Sequence, residues 1–363
     1  MTLKRMRYNW IYTLLVYCSL TGLASCDKAE LIVAEPVVEK YNPAVPSNLA
    51  ASVPSPERNP TTKEGVLLGR MLFFDPILSK NGKVSCASCH QPEKAFTDGA
   101  ALSTAGVSGK PLLRHVPTLA NVAWMQGLFW DGGAKDLESL SFGPLTHPDE
   151  MGQNLKELAQ KLQQHKKYPV LFQKAFGTDS ITSAAIGRAL AQFQRTIISG
   201  NSRYDKYVRN EAGGTLSEPE LKGLVLFKEN CSTCHTSGFF TDNQYHNNGL
   251  DNTYSEANEA MEFGRGRITG LPKDIGKYKT PTLRNIAITA PYMHDGRFDT
   301  LDQVLEHYTS GIIQSATLAP ELQQHGRLGI PLTAAEKESI IQFLKTLTDE
   351  EFLKNPELLP VVE

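Results

Sequence analysis

Cys86-Ala87-Ser88-Cys89-His90 and Cys231-Ser232-Thr233-Cys234-His235 are two copies of one five-residue pattern, and the class of the chain follows from them. In Cys-x-x-Cys-His the two thiols add to haem vinyl groups as thioethers, and the adjacent imidazole is held at the right distance to ligate the iron. A zinc site is the structural rival, but it needs further Cys or His ligands at suitable spacing, and no second Cys pair lies near either copy. A redox-active Cys-x-x-Cys is an alternative for a single copy. Two copies, each followed by His, point instead to two covalent c-type haems, with His90 and His235 as proximal ligands.

Working outward, the other two of six cysteines, Cys18 and Cys26, lie in the first 26 residues. Lys4, Arg5 and Arg7 precede an apolar stretch from Trp10 to Leu20, which reads as a signal peptide too short for a membrane span. Leu23-Ala24-Ser25-Cys26 resembles the bacterial lipobox, making Cys26 an acylated anchor on the periplasmic side. An ordinary signal peptide with a chance Cys is the alternative. Residues 27–60, with six prolines, read as an extended tether. The full 363 residues allow two domains with their own cores. A formal net charge of −2 and no long basic run set nucleic-acid partners aside.

Thr61-Thr62-Lys63-Glu64 has capping-box spacing, and Val66, Leu67, Met71 and Phe74 follow at helical intervals until Asp75-Pro76. Ser217-Glu218-Pro219-Glu220 repeats that grammar ahead of Cys231. Leu155–Leu162, Ala184–Ile198 and Thr333–Leu347 read as further helices, and strand-type alternation is scarce. The expected class is mainly α, with two tandem cytochrome c-like domains each carrying one haem. Their expected bounds are 61–210 and 211–350, with 351–363 a tail.

Between and after the motifs come Arg114-His115-Val116-Pro117-Thr118-Leu119, Phe129-Trp130-Asp131-Gly132-Gly133-Ala134, Gly143-Pro144-Leu145, His147-Pro148-Asp149-Glu150-Met151, Lys279-Thr280-Pro281-Thr282-Leu283-Arg284-Asn285 and Pro291-Tyr292-Met293-His294-Asp295-Gly296. In this order they resemble the di-haem cytochrome c peroxidase and MauG family over roughly Gly65 to Leu347. The resemblance makes the first haem the peroxide site, places Glu150 over its distal face and sets Trp130 between the haems. On the residues alone, Glu150 with Asp149 could cap the helix starting near Asn154, and Trp130 could be a core residue. Leu140 stands where the family has a Gln. Relatives bind calcium through an Asn and two backbone carbonyls; those places are His115, Thr289 and Pro291 here, and imidazole suits a hard cation poorly. His147, His165, His246, His307 and His325 read as surface or supporting groups.

Thr300-Leu301-Asp302-Gln303 is another capping box, and Leu301, Val304, Leu305 and Tyr308 share one helix face. In the family this last place holds the sixth ligand of the second haem, Met in peroxidases and Tyr in MauG-type relatives. Tyr308 is the expected iron ligand, with Met293 as substitute and a core Tyr as the bland alternative. The resemblance implies reduction of hydrogen peroxide to water, with electrons from a small exported cytochrome or copper protein relayed between the haems. A MauG-type oxidase acting on side chains of a partner protein, and a pure electron carrier, are the rivals; a homodimer is compatible with the resemblance. The intact mass of the denatured protein should exceed the mature polypeptide by two haems, and by one after replacing Cys231 and Cys234 with Ala. Zinc without iron in a metal assay would overturn the reading.

Overall fold

Hydroxyl caps set several of the helix starts. The computed structural model describes residues 39–49, 52–236, 238–258, 262–324 and 326–362; Cys26, the signal peptide and the start of the tether lie outside these. Helix α1 (Lys63–Phe74) begins one residue later than the capping box suggests, with Thr62 Oγ1 accepting from Gly65 N–H at 3.0 Å. Thr61 is committed elsewhere, its carbonyl to Tyr41 N–H and its N–H to Ser55 Oγ. Helices α2 (Leu155–Gln163), α3 (Tyr168–Phe176) and α4 (Ser183–Gln194) follow. The boxes at Ser217, Thr300 and Thr333 open α5 (Glu218–Asn230), α6 (Leu301–Glu306) and α7 (Ala334–Lys345) as expected. Among the described residues, extended pairing amounts to two short antiparallel ladders, Tyr245–His246 with Tyr278–Lys279 and Gln323–Gln324 with Arg327–Leu328, and isolated bridges. The chain is mainly helical, and among the described residues no helix is long and apolar enough to cross a membrane.

One pairing rule is used twice. Helix α1 packs on α4, and α5 packs on α7. A Cβ on Gly69 would overlap the Ala189 carbonyl, and one on Gly223 would overlap that of Ser339. Only glycine admits these close crossings. Phe193 and Phe343 stand beside the two crossings. Leu68, Leu72, Phe73, Leu158, Phe172 and Leu190 belong to the core around the first crossing, and Leu224, Phe227, Phe240, Ile340 and Leu347 to that around the second.

The loops that follow also echo each other. Asn121 and Asn285 both take left-handed backbone (φ 59° and 61°) and both reach Ser199 in the connector between the halves. Asn121 holds its backbone at 2.8 and 3.0 Å, and Asn285 donates to its hydroxyl at 3.0 Å. Asp349 accepts from Gly200 and Asn201 N–H at 2.9 and 2.8 Å and donates its own N–H to Asn285. Beside this knot Arg284 grips Asp205 through two bonds of 2.8 and 3.0 Å, with both side chains fully buried. Burial alone would raise the Asp205 carboxyl, but the Arg284 guanidinium holds it below its ordinary value.

Two expectations at the chain ends need correction. Residues 39–49 and 52–60, expected as part of an extended tether, are irregular and lie on the body: Asn48 donates to Asp205 at 2.6 Å, Trp124 Nε1 to the Ser52 carbonyl at 3.0 Å and Arg195 Nε to that of Pro54 at 3.1 Å. Residues 351–363 are not a free tail. Phe352 and Leu358 are buried in the first core, Phe352 meets Phe96 at 5.8 Å between ring centroids, and Arg70 Nε binds the Leu359 carbonyl at 2.6 Å.

Removing Arg284 would leave Asp205 as an unpaired buried charge, so Arg284→Met should cost about 3–5 kcal/mol of stability. Chemical denaturation of the haem-loaded protein measures this, and an unchanged midpoint would show that the pair is dispensable.

Candidate functional site

Each motif His is aimed by one backbone carbonyl. His90 Nδ1 lies 2.8 Å from the Phe96 oxygen and His235 Nδ1 lies 2.9 Å from the Phe240 oxygen. A carbonyl only accepts, so Nδ1 carries the proton and Nε2 keeps its lone pair. Burial lowers both imidazole pKa values, which keeps the rings neutral and able to bind iron. To turn its carbonyl inward, Phe96 adopts φ 63° and Phe240 adopts φ 55°. Thr118 Oγ1 and Thr282 Oγ1, from the two Pro-Thr-Leu segments, brace these turns on the carbonyls of Ala95 and Phe239 at 2.6 Å.

Burial pushes the Cys86 and Cys231 thiols up to about 12 and Cys234 up to about 11, and raises Cys89. A redox dithiol works through a thiolate at neutral pH, which these environments disfavour. Cys234, Asp242 and His246 do converge within 4.8 Å, but His246 is already bonded to Asp242 at 2.7 Å. All four sulfurs and both imidazoles line one cavity of about 1100 Å³ that runs through both halves. Pockets for a single ligand usually hold roughly 300–1,000 Å³. Ser141 Oγ and Gln194 Oε1 are buried in its wall without a protein partner, as suits a group with polar substituents. The residues present fit two haems.

The cavity gathers the expected site residues: Glu150, Trp130, Tyr308, Met293, Thr289 and Pro291 all line it. The helix at Leu155 is capped by Asn154, whose side chain accepts from Lys156 and Glu157 N–H. Glu150 is therefore not its cap. Its backbone is pinned by the Val107 N–H at 2.6 Å, and burial raises its carboxyl pKa against a smaller opposing effect of His147, 3.9 Å away. Leu140 lines the same wall.

Trp130 sits where the halves meet. Its Nε1 donates to the His115 carbonyl at 2.8 Å, and its own carbonyl accepts from Lys279 N–H at 2.8 Å. His115 N–H in turn donates to the His294 carbonyl at 2.8 Å, so the two halves exchange backbone bonds around this indole. The neighbouring Asp131, buried, accepts from Arg114 at 2.7 Å and from Arg267 at 2.6 Å. His294 stacks on Tyr278 with centroids 3.6 Å apart, and burial brings its pKa down to about 4. At the expected calcium position His115 offers an imidazole whose Nδ1 is bonded to the Ala100 carbonyl at 2.9 Å. That donor set does not fit calcium.

Tyr308 lies in a π-helical turn, His307–Gly311, which continues α6. Such turns recur at functional sites because the extra residue re-aims a side chain. Burial pushes the Tyr308 phenol up to about 12, and a hydrogen bond from the Asn248 side chain works the other way. His307, grouped with the surface or supporting histidines, is a buried supporting one: its Nε2 bonds the Asn248 carbonyl at 2.9 Å. His325 lies outside the described residues. Sequence reasoning missed Asn248, Tyr278 and the Ser141–Gln194 wall, since a single polar residue carries no periodic or spacing signal of its own.

Comparison with known proteins agrees with this geometry. Residues 63–213 match the family described as di-haem cytochrome c peroxidase. The chain is 37% identical to the methylamine utilization protein MauG of Methylophilus methylotrophus over 304 residues, covering 82% of this chain and 86% of the relative. It is 38% identical to the cytochrome c551 peroxidase of Nitrosomonas europaea over 296 residues, covering 81% and 83%. Among solved structures, a MauG-like protein associated with microbial copper homeostasis is similar at 35% identity and a TM-score of 0.78, covering 87% of this chain and 99% of that one. With two haem motifs opening on one cavity and relatives of both names, the chain belongs to the di-haem cytochrome c peroxidase and MauG family.

Proposed function

We propose that the protein reduces hydrogen peroxide to water in its first half, using electrons that enter through its second. The observation that carries this reading is Glu150, a carboxyl raised by burial on the wall of the cavity that holds His90. The haem on Cys86 and Cys89 would supply an iron for peroxide to bind and the redox capacity for cleaving its O–O bond. Glu150 would take the proton from the inner peroxide oxygen and deliver it to the outer one, so that water and not hydroxide leaves. Its buried position matches that task, because a carboxyl with a raised pKa is a better proton acceptor than an ordinary one.

Trp130 would carry electrons between the halves, and its bonds to His115 and Lys279 fix it there. In this reading 61–210 is the peroxide-reacting domain and 211–350 the electron-entry domain, both cytochrome c-like. The donor is a small exported cytochrome or copper protein, and Cys26 carries the lipid that keeps the protein on the periplasmic side of a membrane.

A second reading, oxidation of side chains on a partner protein as in MauG-type enzymes, is favoured by Tyr308, which lines the cavity with Cys231 and Cys234. A hard anionic oxygen stabilises oxidised iron, whereas a neutral thioether stabilises ferrous iron. Mixing the purified protein with peroxide, with and without a reduced small cytochrome, separates the two: rapid cytochrome oxidation supports the first reading and its absence the second.

Glu150→Gln should keep both haems and lower peroxide turnover by roughly a hundredfold or more, the scale for losing a positioned acid–base group. Because the active form at the start is the carboxylate, kcat/KM of the unmutated protein should fall as pH drops through the raised Glu150 pKa. That limb should vanish in Glu150→Gln, and near-normal turnover in the variant would remove Glu150 from the chemistry. Tyr308→Met should raise the reduction potential of the second haem, measured by redox titration; an unchanged potential would show that the phenol is not an iron ligand.

A further inference from the structure

Two side chains of the second half offer an atom to the same region of the cavity, the phenol of Tyr308 and the thioether of Met293. A third residue touches both. Asn248 Nδ2 donates to Met293 Sδ at 3.3 Å, and the same side chain is near enough to the Tyr308 phenol to favour its ionised form. Asn248 is an unusually well-anchored loop residue. His307, the immediate neighbour of Tyr308, bonds its carbonyl at 2.9 Å and so ties the π-helical turn to it. On its other side Asn247 is buried, donating to the hydroxyls of Tyr254 at 2.8 Å, Ser315 at 3.1 Å and Thr317 at 2.9 Å and accepting from Gly249 N–H at 2.9 Å. Arg297 fixes the next stretch through the Leu250 carbonyl at 3.1 Å and the Asp251 carboxylate at 2.8 Å.

We propose that Asn248 selects the sixth ligand of the second haem, its amide holding the Met293 sulfur back and leaving the Tyr308 oxygen as the donor. The physical basis is that a thioether binds iron through a sulfur lone pair and must turn that lone pair toward the metal. An N–H···S bond from a rigid loop occupies a lone pair and fixes the direction of the sulfur. Met293 is itself held in left-handed backbone (φ 74°), so its main chain has little freedom to compensate. The amide N–H groups are also the right partners for an oxygen that becomes anionic on binding. This rests on the reading of Tyr308 as iron ligand. Asn248 acts here as a positioning residue, since it reaches the iron only through its two neighbours.

The test is Asn248→Leu, which keeps the side-chain volume and deletes the donor, read by spectroscopy of the ferric, fully haem-loaded protein. The near-infrared band of methionine-bound ferric haem should appear, the phenolate vibrations in resonance Raman should weaken, and Met293→Leu in the same chain should abolish the band. Intact mass confirms two haems per chain. If Asn248→Leu does not take up both, Asn248→Ala carries the same test. A variant that keeps the phenolate signature and gains no band overturns the role of Asn248 alone, provided that Tyr308→Phe erases the signature. An unmutated protein that already shows the band overturns both the Tyr308 reading and the proposal.

Discussion

The hydrogen bond from a histidine Nδ1 to a backbone carbonyl, made once in each half, is the constraint on which the rest depends. It fixes the tautomer, so each Nε2 faces the cavity as a neutral donor. It also obliges a phenylalanine to adopt left-handed backbone, at a strain of roughly 1–2 kcal/mol. That turn is held because its carbonyls are engaged by the imidazole and by a threonine from a segment far along the chain. The following asparagines then find the connector at Ser199. Ligand orientation, loop path and the joining of the halves are one mechanical problem solved twice.

The two solutions are alike in frame and different in chemistry. Where the first half has Phe129-Trp130-Asp131-Gly132, the second has Met293-His294-Asp295-Gly296. The indole of Trp130 bridges the halves, whereas His294 is stacked on Tyr278 and kept neutral. The first half sets a raised carboxyl on its cavity wall and the second a buried phenol. A repeated scaffold thus presents a carboxyl to the cavity from one half and a phenol from the other.

Much of this was legible in the sequence, and the limits have physical causes. Both Cys-x-x-Cys-His motifs, the capping boxes at Ser217, Thr300 and Thr333 and the inward face of Tyr308 followed from local rules and stand in the structure. Local rules failed where a residue had a distant claim on it. Thr61 lost the cap of α1 to Thr62 because Tyr41 and Ser55 bind it. The prolines of 39–60 spelled an extended chain correctly but could not say what it would lie against. Asn248 acts through Met293, His307 and Tyr308, a set assembled only by the fold.

Phe352 and Leu358 lie in the core built around α1 and α4, far upstream in the chain. The first core is therefore completed by two side chains that follow the whole second half. Since contacts between remote segments form late in folding, the first core stays open until these two side chains arrive. Phe352 and Leu358 thus act on the first core as a clasp that shuts late.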